Sequence, residues 1–174
     1  MCGDDSICQS TTQEKGTSMY RKFSILSATA LALTLGMASA ASSQDVIELT
    51  QTGCQFVEPE GTDLGHNPQQ ADDCRTINTE SGSERLSKSE TLTLKPGKYT
   101  FKVANKNVPY ELGFWIRDAD YDWRNPLHKV TKTSVSGGGL YEGVTKEYTV
   151  ELKPGEYLYS CPLNPTPDYR IIVQ

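Results

Sequence analysis

The residues with the most chemistry to offer lie near the C-terminal end, in the run Tyr157-Leu-Tyr-Ser-Cys161-Pro-Leu-Asn164-Pro-Thr-Pro-Asp168. A cysteine brings a thiolate, which is a soft metal ligand and the nucleophile of disulfide exchange. Asn164 follows three positions later with a neutral amide, and Asp168 offers a carboxylate. Pro162, Pro165 and Pro167 stiffen the segment and remove backbone donors. Such a loop suits a preorganised cage or a rigid docking surface. Elsewhere the chain has no local nucleophile–His–acid set, no zinc-type spacing and no carboxylate pair with a structural warrant. The run Ser136-Gly-Gly-Gly139 lacks the following Lys-Ser/Thr and the helix that a phosphate cradle needs, and reads as a turn. The only two histidines are His66 and His128.

The redox setting of Cys161 follows from the N-terminal region. Met19-Tyr-Arg21-Lys22 is a second plausible start with a basic cluster. Phe23 to Met37 is a short, mostly apolar run, and Ala38-Ser39-Ala40 has the small-residue pattern of a cleavage site. This predicts a secretory signal peptide over 19–40. Residues 1–18 then read as a start-site artefact, and 41–174 as one domain. The apolar run is too short for a membrane span, and no later segment is longer. Residues 1–40 hold equal numbers of acidic and basic side chains, so the net charge of −5 survives cleavage. A mildly acidic domain has no electrostatic basis for binding nucleic acid or anionic lipid.

Of the five cysteines, Cys54, Cys74 and Cys161 lie in the expected domain. Export favours paired cysteines. Cys54 and Cys74 flank a polar segment and are the natural pair, a closure worth about 3 kcal/mol in the chain-entropy model. Cys161 is left as the odd thiol. It is either functional or a buried, inert small hydrophobe.

The elements that position these residues are strands. Ile47 and Leu49 mark the buried face of a first strand over 46–57. Residues 58–90 are a polar insertion, with a short helix over 71–79 carrying Cys74 and a return to loop at Ser81-Gly-Ser. The string Leu-Lys-Pro-Gly-x-Tyr occurs twice, at Pro96-Gly97 and at Pro154-Gly155. Each copy reads as a type II turn between alternating strands. The first leads into Tyr99, Phe101 and Val103, and the second into Tyr157, Tyr159 and Cys161. Equivalent registers place Cys161 on the buried face at the end of its strand. Leu112, Phe114 and Ile116 alternate in another strand. Trp115 takes the outward phase there and marks a contact surface. A polar connection over 117–135 carries Tyr121, Trp123 and His128, and Ile171 and Val173 lie in a last strand. About seven short strands with turn punctuation predict an all-β, antiparallel Greek-key sandwich with a disulfide-tied insertion.

The order of these parts resembles the cupredoxins, the blue-copper family. The likeness rests on the two Pro-Gly corners, an Asn-x-x-x-x-[His]-Glu type loop, and Tyr-x-Tyr-x-Cys-Pro-x-[His]-Pro before a last strand. It covers residues 90–174, and 45–57 more weakly. It implies a copper site in which Cys161 is the thiolate. The loop histidine falls on Asn164, the upstream histidine on Tyr110, and the axial methionine near Pro167 or Asp168. Only the thiolate is retained. Amide and phenol oxygens are poor substitutes for imidazole on copper.

Three functions follow as expectations. The first is a periplasmic or secreted cupredoxin-fold binding or accessory protein with a degenerate type 1 site, no cofactor and a protein partner. The second is an electron carrier or copper handler with an atypical site of Cys161 with Glu111, Asp168 or His128. The third is a thiol-redox protein using Cys161 alone, which lacks a nearby resolving cysteine. No enzyme activity is expected. The oligomeric state is not encoded in any of these features.

Overall fold

The two Leu-Lys-Pro-Gly-x-Tyr strings fold into two equivalent corners. In each, the tyrosine hydroxyl turns back and donates to the carbonyl of the lysine before the proline. Tyr99 donates to Lys95 O at 2.7 Å, and Tyr157 to Lys153 O at 2.9 Å. Gly97 does not have the positive φ that a type II turn requires. It already belongs to a strand and pairs with Leu152. The expected turn type is not formed at Gly97, Gly155 has φ +157°, and the tyrosine bond is what the two corners share.

The structure, a computed structural model, describes residues 45–174. The expected start-site artefact and signal peptide lie outside the described residues. The strands are β1 (Asp45–Thr52), β2 (Gln55–Phe56), β3 (Leu92–Leu94), β4 (Gly97–Asn105), β5 (Leu112–Asp118), β6 (Thr133–Leu140), β7 (Thr145–Leu152), β8 (Gly155–Ser160) and β9 (Tyr169–Val173). Three helices are interspersed: α1 (Val57–Glu60), α2 (Ala71–Lys88) and α3 (His128–Thr131).

Two sheets face one another in the expected sandwich, ordered β2-β1-β4-β7 and β3-β9-β8-β5-β6. Most neighbours are antiparallel. The pairs β1–β4 and β3–β9 are parallel, so both sheets are mixed. Alternation does its expected work: Tyr99, Phe101 and Val103 of β4, Tyr148, Val150 and Leu152 of β7, and Tyr157 and Tyr159 of β8 are buried together. The centre is aromatic. Phe56 makes edge contacts with Phe114, Tyr159 and Tyr169 at centroid distances of 5.4–6.0 Å. Such pairs add to the transfer energy of burial and favour one packing arrangement.

Further sequence expectations are corrected. The first is the length of the helix carrying Cys74, which continues through Ser81-Gly-Ser to Lys88. Its ends favour the helix. Gln70 and Asp73 form a reciprocal capping box, Asp72 and Asp73 sit in the first turn, and Arg85 and Lys88 sit in the last. Both charge placements complement the helix dipole. The second is Ser136-Gly-Gly-Gly139, which is strand in β6, not turn. Glycine is needed there for close approach. A Cβ on Gly137 would lie 2.8 Å from Tyr148 Cε1, and one on Gly113 would lie 2.9 Å from Gly137 O.

The first strand expected over 46–57 is a hairpin. Thr52 pairs with Gln55, leaving Gly53-Cys54 as the turn. Cys54 has φ +64°, a left-handed conformation that a non-glycine residue rarely adopts.

Candidate functional site

β8 delivers Cys161 to the end of the sandwich, where the thiol is free and almost wholly buried. The backbone N–H groups of Gly113 and Asn164 both donate to its Sγ, at 3.2 Å. Gly113 is itself held, because its carbonyl accepts from Gln51 Nε2 at 2.8 Å. Behind Cys161, its own N–H donates to Thr166 Oγ1 at 3.0 Å and closes the proline-rich loop. Burial pushes the Cys161 thiol up, and the N–H groups of Gly113, Asn164 and Leu163 partly oppose this. The group is a neutral thiol at ordinary pH.

Asn164 is the centre of the arrangement and is fully buried. Its Oδ1 accepts from Tyr110 OH and from Cys54 N–H, each at 3.1 Å. Its Nδ2 donates to Thr52 O at 3.0 Å. With its own N–H on the Cys161 sulfur, this one side chain and its amide link the loop, the β1–β2 hairpin and Tyr110. A buried asparagine with both ends paired is stabilising where an unpaired one would cost several kcal/mol.

Cys54 and Cys74 are bonded, as expected from the cysteine count. Cys74 Sγ lies 2.9 Å from Asn164 Oδ1 and 3.7 Å from Tyr110 OH. A disulfide sulfur has no hydrogen to donate, so its contact with Asn164 Oδ1 is not a hydrogen bond, and toward Tyr110 OH it is an acceptor only. The disulfide thus sits against the Tyr110–Asn164 pair. Tyr110 itself is placed by Asn105, whose buried side chain bonds Val108 through both its N–H and its carbonyl, and reaches the carbonyls of Tyr110 and Leu140. Burial, with the nearby Cys161 and Asp73, pushes the Tyr110 phenol up to about 12.

A polar clamp holds α2 over this cluster. Arg85 makes a two-pronged pair with Glu60, through Nε at 2.9 Å and Nη2 at 2.7 Å, and Nη2 also donates to Cys54 O at 3.1 Å. Tyr169 OH donates to the same carboxylate at 2.5 Å. Asn78 Nδ2 donates to the carbonyls of Cys54 and Pro165. Cys54, in its left-handed conformation, is therefore bonded at both N–H and carbonyl.

The structure brings together Cys161, Asn164 and Tyr110. It holds the other sequence candidates elsewhere. Glu111 accepts from Gly139 N–H at 2.6 Å and from Tyr141 OH at 3.4 Å. Asp168 pairs with Arg117 at 2.7 Å. His128 opens α3, and its Nδ1 accepts from Asp122 N–H. His66 is partly buried, and burial lowers its pKa. Among the described residues, no three His, Cys, Asp or Glu side chains are grouped to hold a metal ion. Trp115 is half-buried and not simply outward. Its ring takes the Arg117 guanidinium at 4.2 Å and an edge contact with Tyr121. Gln51, Asn105, Asn78, Arg85 and Glu60 were not singled out from sequence. Buried polar residues on strands and in a polar insertion carry no periodic signal.

No family model matches the chain, and no curated protein matches it in sequence. Solved structures of similar shape are cupredoxins. Reduced auracyanin from Roseiflexus castenholzii is 13% identical, over 76% of this chain and 98% of that one, with a TM-score of 0.46. Auracyanin A, a "blue" copper protein from Chloroflexus aurantiacus, is 14% identical over 76% and 100%, with a TM-score of 0.48. Amicyanin from Paracoccus versutus is 12% identical over 79% and 87%, with a TM-score of 0.38. Identities and scores this low assign no role to any residue.

Proposed function

We propose that this chain is an exported binding or accessory module of cupredoxin type, cleaved near Ala40, whose type 1 copper position is closed by protein. The observation that carries the reading is the direct bond between Tyr110 OH and Asn164 Oδ1, with the Cys74 sulfur packed against the same oxygen. A type 1 centre needs two imidazoles and a thiolate around one ion. A phenol with a raised pKa, an amide already spent on three partners and a disulfide do not fit that centre. The retained N–H bonds to Cys161 have a sufficient role in tying β5 to the C-terminal loop.

In this reading the protein works by contact with another protein and not by catalysis. Trp123, Leu127 and Val130 in the β5–β6 connection are exposed apolar side chains, 68–84% accessible, and support a partner surface there. No helix among the described residues is long and apolar enough to cross a membrane. The alternative is a copper handler built on Cys161, and the buried thiol with its two donors is what favours it. Adding Cu(II) to the oxidised protein separates the two. The accessory reading expects no intense thiolate-to-copper band and no copper retained after desalting. A blue protein refutes it.

A further inference from the structure

We propose that the open groove between β6 and the β5–β6 connection is where the protein partner docks, and that it takes an extended segment of that partner in which carboxylates flank an apolar side chain. The inference rests on the reading of this chain as a binding module and names the chemistry of what it binds.

The groove has a volume of about 340 Å³ and is lined by Trp115, Tyr121, Lys129, Thr133, Ser136 and Pro162. Trp115 lies on the face of β5 opposite to the core residues Leu112, Phe114 and Ile116. The groove is therefore on the outer face of the sheet, and Pro162 brings it to the loop that follows Cys161. Its aromatic wall is preformed. Trp115 Nε1 donates to Thr133 Oγ1 at 3.3 Å, and the Arg117 guanidinium lies over the indole at 4.2 Å. Arg117 is in turn fixed by Asp168 at 2.7 Å and by Ser160 Oγ at 2.9 Å. Tyr121 meets Trp115 edge-on, at a centroid distance of 4.9 Å and an interplanar angle of 87°, and leans on His128 at 5.9 Å. Two rings at a right angle, already held, receive a side chain without the entropy cost of ordering them. Ligand pockets run from about 300 to 1,000 Å³, so this one suits one or two side chains of a segment and not a larger body.

Charge decides what that segment carries. The chain is acidic overall, at −5, yet the charges left over at this groove are positive. Lys129 on its rim and Arg124 in the same connection have no carboxylate partner among the described residues. The acids nearby are spent or turned away. Asp168 holds Arg117, Asp120 pairs with Lys132, and Asp122 Oδ1 accepts from Arg124 N–H. Asp118 and Asp120 line a separate hollow with Pro154, Gly155 and Glu156. A cationic rim on an anionic protein steers an acidic segment to this groove and a basic one elsewhere. The apolar part follows from Trp123, Leu127 and Val130, which are exposed in the same connection. Aromatic anchors ringed by polar groups are where interfaces concentrate their binding energy.

The test pans the disulfide-bonded full chain against a random peptide library on phage. The selected peptides, labelled with fluorescein, are then titrated by fluorescence polarisation. The expected peptides carry more Asp and Glu than Lys and Arg, placed around an aromatic or aliphatic residue. Lys129→Glu should weaken them by about tenfold or more, and Tyr121→Ala by a similar factor. Lys98→Glu makes the same charge change on an exposed residue of β4, in the other sheet, and should weaken them by no more than about twofold. Circular dichroism checks that each variant is folded, and Lys129→Glu, at an exposed position, decides if Tyr121→Ala is not. Selection of basic or uncharged peptides overturns the proposal, as does selection of none. So does a Lys129→Glu effect no larger than that of Lys98→Glu. Sedimentation equilibrium covers the other occupant, because self-association that Tyr121→Ala abolishes would give the groove to a second copy and overturn the partner assignment. The Cu(II) result on the oxidised protein is independent of all these outcomes, so the two readings fail separately.

Discussion

Tyr110 OH donates to Asn164 Oδ1 at 3.1 Å, joining the β4–β5 loop to the loop after β8 across the end of the sandwich. In the proposed reading these two positions are those of the two imidazoles of a type 1 site. Here the two side chains bind each other. The same end of the fold is thus held by a hydrogen-bonded pair backed by a disulfide.

Asn164→Ala should destabilise the protein by about 2–4 kcal/mol, because it leaves Tyr110 OH, Cys54 N–H and Thr52 O buried without this partner. Asn164→Asp should be no better, since a carboxylate cannot donate to Thr52 O and would be buried without a cation. Chemical denaturation of both variants checks this. A loss under about 0.5 kcal/mol, the usual range for surface changes, would show that Asn164 is not the hub.

Tyr110→His with Asn164→His should not by itself create a blue site, because the Cys74 sulfur still lies where the amide oxygen now contacts it. Adding Cys54→Ala and Cys74→Ala should then allow a thiolate-to-copper band from Cys161. Visible absorption after Cu(II) addition reads both. A blue band in the double variant with its disulfide intact would show that the disulfide does not block the site.

Much of this was legible in the sequence. Alternation gave the buried register of Tyr99, Tyr157 and Cys161, because one-sided burial of a strand leaves a period of two. The placement of Cys54 and Cys74 on either side of a polar segment gave their bond. What was not legible has a common cause. The length of α2, the strand through Gly137 and the Arg85–Glu60 clamp depend on partners far along the chain. Ser-Gly-Ser has poor helix propensity, and the helix runs through it because the Cys74 disulfide, the Arg85–Glu60 pair and Leu86 against the core tie it to distant residues, with capping and charge favourable at its two ends. Gly137 is strand because Tyr148 needs the space above it. The bonds of Asn164 to three buried backbone and side-chain groups have no signal in the sequence.

Arg85→Ala should cost about 3 kcal/mol or more. It leaves the Glu60 carboxylate buried with only Tyr169 as partner and removes a bond to Cys54 O. The same variant should speed reduction of the disulfide, since α2 loses its main polar tie. Denaturation curves and the rate of thiol release measure the two effects. Loss of stability without faster reduction would mean that α2 does not govern access to the disulfide.

Alkaline pH should unfold the protein through its buried phenols. Tyr110 is raised to about 12, with burial the main cause, and Tyr148, Tyr159 and Tyr169 are also raised by burial. A phenol ionises near 10 when unperturbed. A folded-state pKa above the unfolded one means that the fold favours the protonated form. That stabilisation is complete below about pH 10 and is lost as pH climbs from about 10 toward 12. Stability should therefore be flat with respect to these groups at neutral pH and fall steeply above about pH 10. Tyr110→Phe should be less stable at neutral pH, having lost its bond to Asn164, yet should lose less on going to pH 12. Denaturant midpoints across this range, with phenolate absorbance followed in parallel, test the slope. Tyr110 titrating near pH 10 in a protein that stays folded would place its hydroxyl in water and away from Asn164.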